Sequence, residues 1–176
     1  ATLHKLPRLN PSKVKQPILP GFDIRIGRLN VEKLVIVPGL AGKDRRIGRL
    51  SGKADIRKGR ALVDLKVDAA AGDSLALLLD AEPDGNKFDL EADLKAPAGG
   101  VFGQIIGTKR PVAIKIGGDG DWNRWQGSLL ADVSNSRIAQ FGLTNHEGTF
   151  GLDGRLALSS ITHGKVQRLT GPVLRV

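Results

Sequence analysis

The chain contains no cysteine and no tyrosine. The first absence excludes disulfides, thiolate metal sites and cysteine nucleophiles, and leaves the compartment open on that ground. Aromatic residues make up only 4 % of the chain, two Trp and five Phe. Its apolar surface must therefore be built from Leu, Val, Ile and Ala. No apolar run approaches the roughly 20 residues that span a bilayer, and the opening ATLHKLPRLN has no signal-peptide core. Any membrane anchor or export signal is expected to lie outside this stretch.

What is present is globular in composition: 176 residues, 40 % apolar and 26 % charged. That size fits one domain, or one piece of a longer repetitive chain. With 23 Gly and 9 Pro the sequence is heavily punctuated, which disfavours long helices and suits short strands joined by turns. The net charge of +9 is uneven. Residues 1–60 carry 15 Lys and Arg against 4 acids, whereas residues 61–160 carry 9 against 14. A basic head on an acidic body fits a nucleic-acid patch, an anionic-lipid patch or an ordinary solvated surface. The last is the simplest reading, and no nucleic-acid partner is expected.

From residue 21 onward the apolar residues recur with period two, as in strands with one buried and one wet face. In RALVDLKVDA, Ala61, Val63, Leu65, Val67 and Ala69 share one side and Asp64, Lys66 and Asp68 the other, with Leu62 the exception. A slip of one residue would drive those charges into the apolar side, so the register is fixed. DSLALLLDAE places Leu75, Leu77, Leu79 and Ala81 alike, turns at Pro83-Asp84-Gly85-Asn86, and resumes as KFDLEADLK with Phe88, Leu90, Ala92 and Leu94 inward. These three strands form a meander. The same pattern recurs in PVAIKIG (Val112, Ile114, Ile116), WQGSLLADV (Trp125, Leu129, Ala131, Val133), RIAQFGLT (Ala139, Phe141, Leu143) and TFGLDGRLAL (Phe150, Leu152, Leu156, Leu158). Earlier strands are expected at 22–28 and 31–37, and a less regular one at 47–57. Turns this short leave no room for crossover helices, so the chain is all-β with antiparallel neighbours. The stretch 96–110, APAGGVFGQIIGTKR, lacks alternation and is expected to form a short helix near 98–107 or a plug across the apolar face. Residues 1–20, with four prolines, read as an extended lead-in, and 21–176 as the β segment.

Chemistry-bearing motifs are weak. PGLAGKD has two residues between its glycines where a phosphate loop has four, and Asp44 follows Lys43 where Ser or Thr is required. Asp119 and Asp121 in IGGDGDWNRW resemble a fragment of a calcium loop, but no Glu completes it. Acidic turn residues are the better reading. Trp122 and Trp125 bracket Asn123 and Arg124; a base-stacking platform is conceivable, but capping one end of the apolar face is preferred. His4, His146 and His163 are scattered, and no serine sits in a Gly-x-Ser-x-Gly elbow. Neither catalysis, a metal nor a cofactor is expected.

Two architectures would use such strands: two sheets closed on each other, or one long bent sheet with an open apolar groove. Leaving ~50 Å² of each of about 15 large side chains in water would cost on the order of 19 kcal/mol. That exceeds the roughly 5–15 kcal/mol by which a domain is stable, so an open groove must narrow, dimerise or hold apolar ligand.

The segments FDIRIGRLNVEKLVIVP, LSGKADIRKGRALVDLKVDAAAGDSLALLLDAEPDGNKFDLEADLKAPAGGV and GDGDWNRWQGSL resemble the repetitive periplasmic region of the TamB family, the AsmA-like translocation and assembly module subunit, in its alphaproteobacterial form. The likeness covers nearly the whole chain, without the family's N-terminal membrane anchor or its C-terminal domain. It implies an internal segment of a periplasmic protein anchored in the inner membrane and reaching the outer one. The implied fold is a long curved antiparallel sheet forming an open hydrophobic groove, a β-taco. The implied function is passage of phospholipid acyl chains between the membranes in outer-membrane biogenesis. The alternative is a scaffold that assembles and secretes nascent outer-membrane β-barrel proteins and autotransporters with the outer-membrane partner TamA. On that reading the groove is lined by Val63, Leu65, Val67, Leu75, Leu77, Leu79, Phe88, Leu90, Leu94, Val112, Ile114, Ile116, Leu129, Val133, Phe150, Leu152, Leu156 and Leu158.

Overall fold

The computed structural model describes residues 2–3, 22–82, 85–121, 123–147, 149–157 and 174–175. Nine strands follow one another in an antiparallel meander: β2 (Ile24–Ile36), β3 (Arg46–Arg57), β4 (Arg60–Ala69), β5 (Ser74–Glu82), β6 (Lys87–Ala96), β7 (Val112–Gly120), β8 (Arg124–Val133), β9 (Ser136–His146) and β10 (Thr149–Leu156). Two-residue strands flank them. β1 (Thr2–Leu3) runs parallel to β2, and β11 (Leu174–Arg175) antiparallel to β10. The spatial order is the sequence order from β1 to β11, so the result is one curved sheet that does not close on itself.

The two strands expected at 22–28 and 31–37 are a single strand, β2. Its apolar residues come in couples, Ile24 and Ile26, Leu29 and Val31, Leu34 and Ile36, with two residues between successive couples where strict alternation has one. At both breaks the pairing with β3 shifts, since Ile26 and Leu29 face Ala54 and Gly52, and Val31 and Leu34 face Leu50 and Gly48. One additional residue on β2 at each bulge restores the apolar couple to the same side of the sheet. β3 is regular, pairing residue by residue with β4 from Gly48 to Arg57. A third irregularity, between Ala131 and Asp132, adds Ile138 to β9, and Ile138 packs beside Val133. Of the turn 83–86, Pro83 and Asp84 lie outside the described residues, as do residues 4–20 of the lead-in.

The non-alternating stretch forms a strap with one helical turn, α1 (Val101–Ile105), shorter than the expected 98–107. Val101, Phe102 and Ile105 turn inward onto one margin of the apolar face. There they meet Ile36, Ala41 and Ala69 on one side and Ala96, Val112, Val133 and Ile114 on the other. The strap is fixed from a distance. Asp73, only 1 % exposed, accepts hydrogen bonds from the backbone N–H groups of Val101 (2.6 Å) and Phe102 (3.1 Å). These are donors that a helix start leaves without intrahelical partners. Gly100 makes the approach possible, because a Cβ there would stand 2.4 Å from the Asp73 carboxylate.

Asp73→Ala should leave both amides buried and unpaired, at a cost of about 1–3 kcal/mol. The expected outcome is faster hydrogen exchange at residues 101–106 and a lower denaturant midpoint, with amides in the middle of β5 and β6 least affected. Unchanged exchange at Val101 and Phe102 would show that the carboxylate does not hold the strap.

Candidate functional site: an open apolar face

Register turns the strand pattern into a surface. Three rows cross the sheet at right angles to the strands. The first runs Leu50, Val67, Leu75, Leu94, Ile114, Ala131, Ala139, Leu156; the second Gly52, Leu65, Leu77, Ala92, Ile116, Leu129, Phe141, Gly154; the third Ala54, Val63, Leu79, Leu90, Gly118, Gly127, Leu143, Leu152. Of the residues expected to line a groove, all but one lie on this face. Leu158 lies outside the described residues. Two of the others are not part of the open surface, since Val112 and Val133 are buried under α1. Sequence reasoning missed the apolar couples of β2, with Leu50, Ala54 and Ile56 of β3, and it did not assign Trp125, Phe141 or Leu143 to the lining. The bulges hid the first set; the couple spacing in β2 is the signal that would have found it.

No second layer covers these rows among the described residues. The buried apolar residues among those described are five alanines, three valines and Ile36; the leucines and phenylalanines of the rows are not among them. The large side chains instead shield one another sideways, and glycines make room. Trp125 lies across Gly118 and Gly127, where a Cβ would come within 2.2 Å and 2.5 Å of its ring. Phe141 likewise covers Gly154, where a Cβ would stand 2.7 Å from the ring. Trp125 thus occupies the end of the apolar face, as expected of a capping residue; Trp122 lies outside the described residues.

The opposite face is charged and carries a hollow of about 1150 Å³, crossed by strands β2 to β8. The outward residues Arg25, Lys53, Asp55, Asp80, Asp89, Glu91 and Asp119 line it, with Leu62 and the half-exposed Leu78 between them. Most of these charges serve each other or their neighbours. Arg57 pairs with Asp55, and Lys53 with Asp64 (3.5 Å). Arg60 donates to both oxygens of Asp80 (2.8 and 2.7 Å), while Lys87 bridges Asp80 and Asp89. The hydrogen bonds from Arg60, reinforced by Lys87 against the opposing effect of burial, hold the Asp80 carboxyl down at about 2. Asp121 accepts from the N–H groups of Asn123 and Arg124 (2.7 and 2.6 Å), which makes it a turn residue; Asp119 stands on β7. Among the described residues no group of three or more His, Asp or Glu is placed to hold a metal ion, and no helix is long and apolar enough to cross a membrane.

No family model, curated protein or solved structure matches the chain. The functional reading accordingly rests on the geometry of the two faces.

A depressed carboxyl pKa stabilises the fold above the ordinary value of 3.8, and that contribution disappears as pH falls through about 2. Asp80→Asn should accordingly be less stable than the parent at pH 7, with the gap closing between pH 4 and pH 2. Urea midpoints measured across that range check it, and a gap independent of pH would exclude the ion pairs as its source.

Proposed function

We propose that the open apolar face carries lipid acyl chains, as one passive segment of a longer TamB-like periplasmic bridge between the inner and outer membranes. The observation supporting this is a continuous apolar surface over nine strands with no covering layer among the described residues. A 16-carbon tail loses about 13 kcal/mol on entering water, at ~0.8 kcal/mol per CH₂. A wall of Leu, Ile and Val as apolar as the bilayer removes that barrier, and movement along it is close to isoenergetic. Direction then comes from a source other than this face.

A second reading has its own observation. β10 pairs with β11 only at Arg155 and Leu156, so the outer edge of Thr149–Gly154 is open to an added strand among the described residues. A nascent outer-membrane strand would dock there by β-augmentation, the role of an assembly scaffold. Photocrosslinkers at Leu77 and Gly151 separate the two: capture of acyl chains at Leu77 supports the lipid path, capture of outer-membrane protein at Gly151 the scaffold.

The acyl-chain reading is tested with Leu77→Asp and Ile114→Asp, both in the middle of the face. A carboxylate facing lipid costs about 2.5–3.5 kcal/mol, so acyl loading and transfer should fall by about two orders of magnitude. Because the face has no opposing layer, circular dichroism should remain that of a folded sheet. Organic extracts of the purified protein should contain lipid by mass spectrometry. Full loading of Leu77→Asp, or extracts no richer in lipid than those of an unrelated β-protein, would end the proposal.

A further inference from the structure

At the margin of the apolar face opposite α1, Phe88, Trp125 and Phe150 converge on one hollow of about 500 Å³. Three of the chain's seven aromatic residues are spent here, so the concentration is not a by-product of an aromatic-rich core. The Phe88 and Trp125 rings stand 5.9 Å apart between centroids and are inclined at 56°, forming two walls. Phe150 is 82 % exposed and offers a third. Leu143 and Leu152 complete the apolar lining. At the rim stands Asp121, its carboxylate held in place by the N–H groups of Asn123 and Arg124. No lysine or arginine lines the hollow among the described residues.

This combination selects among ligands. Aromatic faces carry negative charge density and attract cations, most strongly when the cation sheds little water on entering. A primary ammonium is strongly hydrated, whereas a quaternary ammonium presents methyl groups to Leu143 and Leu152 while its charge faces the rings and Asp121. An acyl chain would use the rings only as area, and bringing it against Asp121 would cost hydration of the carboxylate. We infer that the hollow bounded by Phe88, Trp125, Phe150 and Asp121 binds a quaternary ammonium group, either of a free small molecule or of a lipid headgroup. The site lies at the end of the face and does not depend on acyl chains occupying its middle.

Binding is measured on the full chain by isothermal titration with choline and with 3,3-dimethylbutan-1-ol, which has the same shape and no charge. Choline should bind at least about fivefold tighter than the neutral analogue. Phe150→Leu removes a ring that is almost wholly in solvent, so it should not disturb folding. Together with Asp121→Asn, whose amide oxygen can still accept the turn hydrogen bonds, it should weaken choline binding about fivefold with unchanged circular dichroism. Dihexanoylphosphatidylcholine against dihexanoylphosphatidylglycerol assigns the source. Preference for the choline lipid over both the glycerol lipid and free choline points to a headgroup, equal affinity of the choline lipid and free choline to a free cation, and either supports the site; equal binding of the two lipids counts against it. Equal binding of the neutral analogue, no effect of either variant, or no saturable binding of choline would overturn the inference.

Discussion

Every strand from β2 to β10 pairs with the next in a register that keeps the members of its apolar rows on the same side, and the rest of the molecule depends on that lateral consistency. One residue of slip in any pair would turn a strand's leucines among the carboxylates of its neighbour. The ladder is therefore specified locally, hairpin by hairpin, without a facing sheet to select it. Where alternation alone would drift, the bulges of β2 and β9 absorb the extra residues and return Leu29, Leu34 and Ile138 to the apolar side. Irregular backbone here preserves a regular surface.

How much of this was legible depends on the range over which each feature is encoded. Period two in β4 to β10 is a property of adjacent residues, and it located the strands, their inward members and the absence of crossover helices. The unity of β2 was not apparent, because two bulges broke the alternation into pieces that looked like separate strands. Nor was the attachment of the strap. Alternation failing at 96–110 announced something other than a strand, but the partner of its first turn, Asp73, is 28 residues earlier. Only the close approach at Gly100 makes the contact possible. The aromatic hollow was partly visible, since Phe88 and Phe150 were on the apolar side from the outset, but nothing in the sequence says that residues 62 positions apart meet beside Trp125. The hollow on the charged face was invisible for the opposite reason: outward charges on strands read as solvation until curvature gathers them.

The two faces contribute differently to cohesion. Ion pairs on the charged side, such as Arg60 with Asp80 and Lys115 with Asp93 (3.3 Å), are partly solvated, and pairs of that kind contribute roughly 0–1 kcal/mol each. They favour the correct register more than they stabilise the fold. The backbone ladder and the sideways contacts between apolar neighbours carry the greater share, as where Trp125 covers Gly118 and Gly127. This explains the choice of small residues in the rows. With no opposing layer to fill, a large side chain gains by lying over a small neighbour, and a sheet of leucines alone would stand its side chains upright in water.

The same reasoning locates where an occupant of the apolar face would gain most. α1 already covers the margin formed by Ala96, Val112 and Val133, and the aromatic hollow at the other margin is bounded by a carboxylate. Between them lie the rows through Leu77 and Ile116, Leu79 and Leu90, whose side chains keep part of their surface in water. Each square ångström covered there returns about 25 cal/mol, and the return is similar from strand to strand because the rows cross the whole sheet at a constant register. A ligand sliding along a row therefore exchanges one set of contacts for an equivalent set. Such a surface would hold an apolar chain without fixing its position, which is the physical requirement of a path as distinct from a pocket.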